Sequence, residues 1–222
     1  NECGRHYRSA GMYPKIAGDV YPGQYAFLQS LDVDERLNPP GSKFCYKDSD
    51  TAVLSWACER FTGKRFVDLI SEMIWSQLGA EHDGSIVCGP QGACTPAAGG
   101  SITLRDFARW GQMHLQLGSW NGKQIVPAEF IEGVAGFREP LVFGEGLAPP
   151  EGFFPDNTTY RDKFWITPEN NGAYFALGHC GQICYIHPRS EVVIVRFASA
   201  KELEPKYGEV LKGLADIARA LS

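Results

Sequence analysis

Several features that mark other protein classes are missing from this chain of 222 residues. No run of apolar residues approaches the roughly 18 that a helix needs to cross a bilayer, so no membrane span is predicted. Lys and Arg are scattered and are outnumbered by Asp and Glu, which gives a net charge of -5. Nucleic acid binding needs clustered cations, so that class of partner is excluded. In addition, no Ser stands three places before a Lys.

Cysteine is present but follows no familiar spacing. There are seven cysteines, an odd number, so at least one thiol is unpaired within the chain, and none forms a Cys-x-x-Cys pair. Cys88 and Cys94 bracket a loop of Gly and Pro and could close a disulfide in an oxidising compartment. His179, Cys180 and Cys184 lack a complete zinc-ligand pattern, so no metal is predicted. The remaining thiols are expected to act as small buried apolar residues.

A content of 44% hydrophobic residues can supply the core of a single sizeable domain. Residues 1–135 are predicted to form a mostly helical lobe, of which residues 1–43 are loop and short helix that line a cleft. Residues 136–171 are predicted to form a long irregular segment, and residues 172–222 to form strands followed by a helix. Strands covered by a terminal helix indicate an α+β fold.

Three helices are predicted in the first part of the chain from apolar spacing and end signals. The first begins near Asp50 and ends at Gly63, the second ends at Gly79, and the third is opened by the capping pair Thr103 and Asp106. Each is predicted to bury one apolar stripe. The stripes are Leu54, Ala57, Cys58 and Phe61; Phe66, Leu69, Ile70 and Met73; and Leu104, Phe107, Ala108 and Leu115.

The segment 136–171 contains five prolines and no sustained period. Its aromatic residues favour an ordered stretch that lines a site over a disordered one. Three β-strands are predicted after it, and Glu204-Pro205 opens a terminal helix with an apolar face. The predicted strands cover residues 172–177, 183–186 and 192–197.

Tyr46 alternates with Phe44 on an extended segment just before the helix predicted from Asp50. The positive end of that helix favours phenolate, the form that can accept a proton. On position alone, a core tyrosine whose hydroxyl finds a hydrogen-bond partner is the more ordinary interpretation.

His179 lies where a predicted strand passes into Cys180 and Gly181. Gly181 lets a ligand or another backbone approach closely. A histidine between apolar strands is more often a structural residue with satisfied hydrogen bonds. Spacing alone therefore leaves a structural and a catalytic role open for this residue.

The order of these segments resembles the serine β-lactamase, penicillin-binding protein and esterase superfamily, most closely its 6-aminohexanoate-dimer hydrolase-like branch. Tyr46 and the helix after it resemble the second motif of that superfamily. His179-Cys180-Gly181 resembles the third, which is Lys-Thr-Gly in many penicillin-binding enzymes and His-x-Gly in esterase and amide-hydrolase relatives. The resemblance runs from about Pro39 to the C-terminus, and its further landmarks include Ala98-Gly99-Gly100, residues 103–111, residues 120–127 and residues 192–195.

The resemblance implies that Tyr46 is the base partner and that the backbone N–H of Gln182 supplies half of an oxyanion hole. Such donors stabilise the negative charge that acyl transfer builds on a carbonyl oxygen. Asp48 and Gly181 are assigned to substrate binding, and His179 to orienting the substrate or relaying a proton. Asp48 stands where β-lactamases commonly have Asn, and His179 where many relatives have Lys. Both departures favour ester or linear amide substrates over β-lactams.

The superfamily's first motif, Ser-x-x-Lys, carries the nucleophile. Its absence leads to the interpretation of this chain as the larger, C-terminal part of a serine hydrolase, inactive alone, whose partner is the missing N-terminal segment of its own parent. The implied architecture is a partial β-lactamase/transpeptidase-like fold that acts on a small ester or amide, with no metal or organic cofactor. A non-catalytic binding module or pseudoenzyme that keeps the cleft is the alternative.

Overall fold

The computed structural model describes residues 24–29, 46, 48–89, 92–135, 154–155, 157–167, 172–200 and 207–222. Predictions for most of residues 1–45, for 136–153 and for Glu204-Pro205 lie outside these residues. The chain divides into two compact units. The first comprises Asn1–Ser76 and Asp83–Ile102, and the second comprises Gln77–His82 and Thr103–Ser222. Helices are combined with an antiparallel sheet, so the predicted α+β class is confirmed.

The first unit is built from short helices and one hairpin. Its elements are α1 (Gln24–Gln29), α2 (Asp48–Thr62), α3 (Phe66–Met73), β1 (Ser85–Ile86) and β2 (Gly100–Ser101), of which β1 and β2 pair antiparallel. Asp48 and Asp50 place negative charge in the first turn of α2, where the helix dipole favours it. Gly63 ends α2 as predicted: its φ is +71°, and its N–H donates to the carbonyl oxygen of Glu59 at 2.8 Å.

The buried face of α2 differs from the predicted apolar stripe. Leu54 and Phe61 are 59% and 93% exposed, whereas Ala52 and Ser55 are buried. The stripe of α3 is buried only at its centre, because Met73 is 63% exposed. The prediction of a buried apolar stripe is therefore wrong for α2 and only partly correct for α3.

Polar and aromatic contacts explain which face of α2 turns inward. Trp56 stacks on Tyr25 of α1, with ring centroids 5.1 Å apart. One turn further along, Glu59 accepts a hydrogen bond of 2.8 Å from the backbone N–H of Phe66, the first residue of α3. The face of α2 that carries Trp56 and Glu59 therefore contacts α1 and α3, whereas Leu54 and Phe61 are exposed.

The second unit carries a five-stranded antiparallel sheet, although the sequence predicts only three strands. Its strands are β5 (Thr159–Arg161), β6 (Phe164–Thr167), β7 (Ala173–Gly178), β8 (Gln182–His187) and β9 (Val192–Arg196), adjacent in chain order. The other elements are α4 (Leu104–Leu115), β3 (Ser119–Trp120), β4 (Lys123–Gln124), α5 (Ala128–Ala135) and α6 (Tyr207–Ala220). The last three strands of the sheet are those predicted, with small shifts at their ends.

The two additional strands lie in the segment that the sequence predicts to be irregular. They are joined by Asp162 and Lys163, both with positive φ (48° and 72°). Two successive positive φ values are typical of a type I′ hairpin turn, which sequences usually announce with Asn-Gly or Asp-Gly. Tyr160 and Trp165 pair across the strands, with ring centroids 4.7 Å apart. These strands are too short to show a clear alternation of apolar and polar residues, and their turn contains no glycine. The hairpin therefore could not be predicted from the sequence.

Both faces of the sheet are covered by helices. One face packs against α6 and the other against α4. The α6 side includes Phe175, Ile183, Tyr185, Leu211 and Leu214. The α4 side includes Phe107, Trp110, Tyr174, Cys184 and Ile186. Because strand side chains alternate between faces, neighbouring residues of β7 and β8 enter different cores, and β8 is buried almost throughout.

Helix α4 begins at its predicted cap, since the Thr103 hydroxyl oxygen accepts a hydrogen bond of 3.1 Å from the N–H of Asp106. Gly111 lets α4 pack close to the sheet. A Cβ at this position would lie 2.6 Å from Val193 Cγ1, which is too short for a normal contact. The predicted stripe is only partly correct: Leu104 is 44% exposed, although Phe107 and Leu115 pack half-buried on the sheet.

Candidate functional site

Two of the predicted site residues, Tyr46 and Asp48, lie where α2 begins in the first unit. Asp48 is the first residue of α2 and is 5% exposed, and Ser49 beside it is also buried. Tyr46 is 38% exposed. The first N–H groups of a helix have no partner within it, and its positive end favours nearby negative charge. This position therefore suits a side chain that becomes negative, although the helix starts two residues before the predicted Asp50.

The other three predicted site residues, His179, Gly181 and Gln182, share one tight turn between β7 and β8 in the second unit. Gly178 and Gln182 are cross-strand partners, so residues 179–181 form the whole connection. A Cβ on Gly178 would lie 2.9 Å from the Cβ of Gln182, so glycine is required there. His179 is exposed at the turn, whereas Gly181 is buried.

The backbone of this turn is in an unusual conformation. Cys180 has a φ of 60° and Gly181 a φ of 89°. A left-handed residue other than glycine costs about 1–3 kcal/mol and persists only where its surroundings impose it. The carbonyl oxygen of Cys180 accepts a hydrogen bond of 3.2 Å from the N–H of Ala200, which helps to impose it. Such strain is concentrated at functional sites, which supports the turn as a candidate.

The side-chain amide of Gln182 fastens the turn to the segment that follows β9. Its Nε2 donates to the carbonyl oxygens of His179, at 3.0 Å, and Ala198, at 2.6 Å. Its Oε1 accepts from the N–H of Ala198 at 3.1 Å. Both the nitrogen and the oxygen of the side-chain amide are hydrogen-bonded to the backbone. These bonds fix the position of Gln182 at this end of the sheet.

Arg196 also holds the turn, and sequence reasoning missed it together with the neighbouring Tyr207. Arg196 at the end of β9 donates from Nη1 to the carbonyl oxygen of Gly181 at 2.8 Å. Burial raises the pKa of Tyr207, the first residue of α6, while the charge of Arg196 and a hydrogen bond from the Gly181 N–H oppose that rise. In the sequence, the feature that could have indicated this role is the position of Arg196, a cation at the end of an otherwise apolar strand.

The structure therefore brings His179, Gly181 and Gln182 together in one turn, whereas Tyr46 and Asp48 belong to the other unit. The turn offers a rigid backbone and an exposed imidazole. The start of α2 offers an exposed phenol at Tyr46 and, two residues later, a buried carboxyl group at Asp48. These groups can hold a carbonyl oxygen, orient a ligand and accept a proton, but they do not include an activated nucleophile.

Two other described histidines serve the core. His114 is 4% exposed and packs against Trp110 and Phe164, with ring centroids 4.3 Å and 5.1 Å apart. Burial lowers its pKa to about 4, so it is neutral at physiological pH. His187 is buried, and its Nδ1 accepts a hydrogen bond of 3.1 Å from the Ser190 N–H. His179 differs from both in being exposed.

The first unit also contains an open apolar groove of about 460 Å³. It is lined by Gln29, Val53, Trp56, Ala57 and Arg60, and by none of the predicted site residues. Among the residues that the structure describes, no group of three or more His, Cys, Asp or Glu is placed to hold a metal ion. No helix in the same residues is long and apolar enough to cross a membrane.

Comparison with known proteins agrees with this architecture. The family model described as Beta-lactamase matches residues 9–218. The 6-aminohexanoate-dimer hydrolase of Paenarthrobacter ureafaciens is 33% identical over 226 residues, which cover 100% of this chain and 55% of that protein. A solved structure from Bacillus anthracis, named as a candidate 6-aminohexanoate-dimer hydrolase, is 31% identical with a TM-score of 0.79, over 98% of this chain and 54% of that one.

The chain therefore belongs to the β-lactamase family, as its motifs predict. A candidate β-lactamase from Bacteroides dorei, with a TM-score of 0.64 and 20% identity over 96% of this chain and 69% of that one, shares the fold. The chain spans about half the length of the two 6-aminohexanoate-dimer hydrolase relatives.

Proposed function

We propose that residues 1–222 form the C-terminal part of a serine hydrolase that cleaves esters or linear amides through an acyl-enzyme. Membership of the β-lactamase family and the names of the two relatives that are more than 30% identical support hydrolysis of this kind. We call the product of the whole coding sequence that contains these residues the parent protein.

The turn between β7 and β8 carries the proposal. An oxyanion hole needs N–H donors that are fixed before the reaction, because donors that must reorient stabilise the transition state less. The backbone of Gln182 is held by its own amide and, through Gly181, by Arg196. The Gln182 N–H is assigned as one of the two donors to the oxyanion.

Tyr46 is assigned as the base partner that helps to take the proton of the nucleophile, because it lies exposed at the positive end of α2. His179 is assigned to the substrate, either orienting it or relaying a proton. Gly181 and Asp48 shape substrate binding. An ionised carboxylate at the buried Asp48 accepts hydrogen bonds only and would not replace the amide donor of Asn, which is consistent with a substrate other than a β-lactam.

The nucleophile is proposed to be the serine of a Ser-x-x-Lys motif encoded before residue 1. Two observations support this: the sequence contains no such motif, and the chain spans about half the length of its hydrolase relatives. The proposal implies that residues 1–222 alone lack hydrolase activity. It also implies that the parent's N-terminal segment packs with this chain.

A non-catalytic binding module is the second candidate, and the missing Ser-x-x-Lys motif is the observation that favours it. Such a module would keep the turn around Gln182 to hold a carbonyl group without cleaving it. The coding sequence upstream of Asn1 distinguishes the two, since an in-frame Ser-x-x-Lys supports the enzyme and a start codon immediately before residue 1 supports the module.

A fluorophosphonate probe tests the proposal, because it labels an activated serine whatever the substrate is. We expect the native parent protein to be labelled on the serine of a Ser-x-x-Lys outside residues 1–222. The heat-denatured parent and residues 1–222 expressed alone should take no label. A label on a serine within residues 1–222 would show that the nucleophile has been misplaced. A folded parent that takes no label would favour the binding module.

A further inference from the structure

The hairpin of the first unit places two cysteines directly opposite each other. Cys88 and Cys94 are partners in an antiparallel β-bridge. The flanking hydrogen bonds run from the Gly89 N–H to the Ala93 carbonyl oxygen and from the Thr95 N–H to the Val87 carbonyl oxygen, both at 2.8 Å. Cys88 and Cys94 therefore form a non-hydrogen-bonded pair.

Pairs of this type have the geometry that a disulfide needs. Their Cα atoms lie about 4.5 Å apart and their side chains point to the same side of the ladder. A disulfide accepts Cα separations of about 4.4–6.8 Å. Both thiols are free in the structure. The geometry of this cross-strand pair lets the bond form without a large backbone movement.

The two thiols differ in exposure, which sets the order of events. Cys88 is exposed, whereas Cys94 is 3% exposed. Burial, followed by the charges of Cys88 and Glu59, raises the pKa of Cys94 to about 11. A thiol attacks a disulfide as the thiolate and needs access to it, so the exposed Cys88 reacts with an external oxidant first.

We propose that Cys88 and Cys94 are a thiol–disulfide modification site, oxidised by low-molecular-weight disulfides of the glutathione class. The Cys88 thiolate attacks one sulfur of the oxidant, forming a mixed disulfide and releasing one thiol. Cys94 then gives up its proton and attacks Cys88 Sγ, which releases the second thiol. Two protein thiols are oxidised and one small disulfide is reduced to two thiols.

The site lies where it can affect the rest of the first unit. The hairpin joins β1 to β2, and Cys94 is close enough to Glu59 and Tyr25 to interact with both electrostatically. The same Glu59 accepts the N–H that orients α3 against α2. Oxidation would fix the hairpin beside this contact. Because Cys88 is exposed, reduced thiols can reverse the bond, as is typical of accessible disulfides.

The sequence provides a direct assay. Trypsin releases peptide 66–105, which contains Cys88 and Cys94 and no other cysteine. The folded parent protein is equilibrated with mixtures of reduced and oxidised glutathione, quenched with iodoacetamide and digested. We expect this peptide to escape alkylation and to be lighter by the two hydrogens lost on oxidation.

The comparison with the unfolded chain tests the geometry. The fold holds the two thiols together and therefore favours the disulfide. The ratio of reduced to oxidised glutathione at which half of the disulfide is reduced should be at least roughly tenfold higher for the folded protein than for the protein unfolded in guanidinium. Cys58→Ser removes another exposed thiol of the first unit and should change nothing, while Cys94→Ser should leave glutathione on Cys88. Equal midpoints in the folded and unfolded protein would overturn the proposal. So would alkylation of both thiols in oxidised folded protein, or a bond from Cys88 to another cysteine.

Discussion

The guanidinium of Arg196 donates a hydrogen bond of 2.8 Å to the carbonyl oxygen of Gly181, whose missing side chain makes room for it. A Cβ at position 181 would lie 2.8 Å from the same Nη1 atom. Arg196 is therefore a positioning residue for the proposed oxyanion donor next in the chain.

We expect Arg196→Met to lower kcat of the parent protein roughly tenfold or more while leaving KM nearly unchanged, because a small displacement of a transition-state donor is costly. Arg196→Lys should recover part of kcat. Arg105→Met, which removes an exposed arginine of the same unit, is the matched control. A kcat for Arg196→Met equal to that of the control would remove Arg196 from the site.

Tyr46→Phe removes the proposed base partner and keeps the aromatic ring. Ester turnover by the parent should fall roughly 100-fold or more with little change in stability, since general-base help is typically worth 10²–10⁴. Tyr185→Phe is a matched control, because it deletes a buried hydroxyl for which the described residues supply no hydrogen-bond partner. Near-normal turnover by Tyr46→Phe would exclude Tyr46 from the mechanism.

Substrate preference follows from two departures from the β-lactamase pattern, Asp48 and His179. A carboxyl group in place of Asn and an imidazole in place of Lys weaken contacts to the amide and carboxylate of a β-lactam. We expect the parent to have a higher kcat/KM on nitrophenyl butyrate than on a chromogenic cephalosporin. The reverse order would support a β-lactamase.

An element of this structure can be predicted from the sequence when it has a long periodic pattern or a specific residue signal. The strands β7 to β9 and the cap at Thr103 carry long or specific signals, and they were predicted. The hairpin around Asp162 and Lys163 carries neither a glycine nor a sustained period, so it was missed. The same limit applies to the site: the motif around His179 is visible in the sequence, whereas the support from Arg196 depends on which strand lies beside the turn.

Gly111→Ala tests the close approach of α4 to the sheet. The new Cβ would lie 2.6 Å from Val193 Cγ1 and 2.8 Å from Cys184 Sγ, and overpacking of this kind typically costs about 1–3 kcal/mol. Gly213→Ala in α6 meets nothing within 4 Å, so its better helix propensity should leave the protein equally or slightly more stable. Urea unfolding of the parent measures both, and equal free energies of unfolding for the two variants would refute the tight contact at Gly111.

Asp106 provides a test of stability against pH. Its buried carboxylate accepts hydrogen bonds from the Thr103 hydroxyl at 2.7 Å, Arg109 Nη1 at 2.7 Å and the backbone N–H groups of Glu81 and His82 at 2.8 Å and 3.3 Å. Burial alone would raise the pKa of Asp106, but these donors outweigh it and hold the pKa below its ordinary value.

A carboxyl group with a depressed pKa in the folded state stabilises the protein above its unfolded pKa, about 3.9, and loses that contribution as pH falls through the folded value. Asp106→Asn should therefore lower the free energy of unfolding by about 2 kcal/mol at pH 7, because charged hydrogen bonds are lost. The gap to the unmutated protein should narrow progressively below about pH 4. Asp216→Asn, at a carboxylate about half exposed on α6, should change stability little at either pH. A gap for Asp106→Asn that is as large at pH 3 as at pH 7 would mean that the charge of Asp106 does not stabilise the fold.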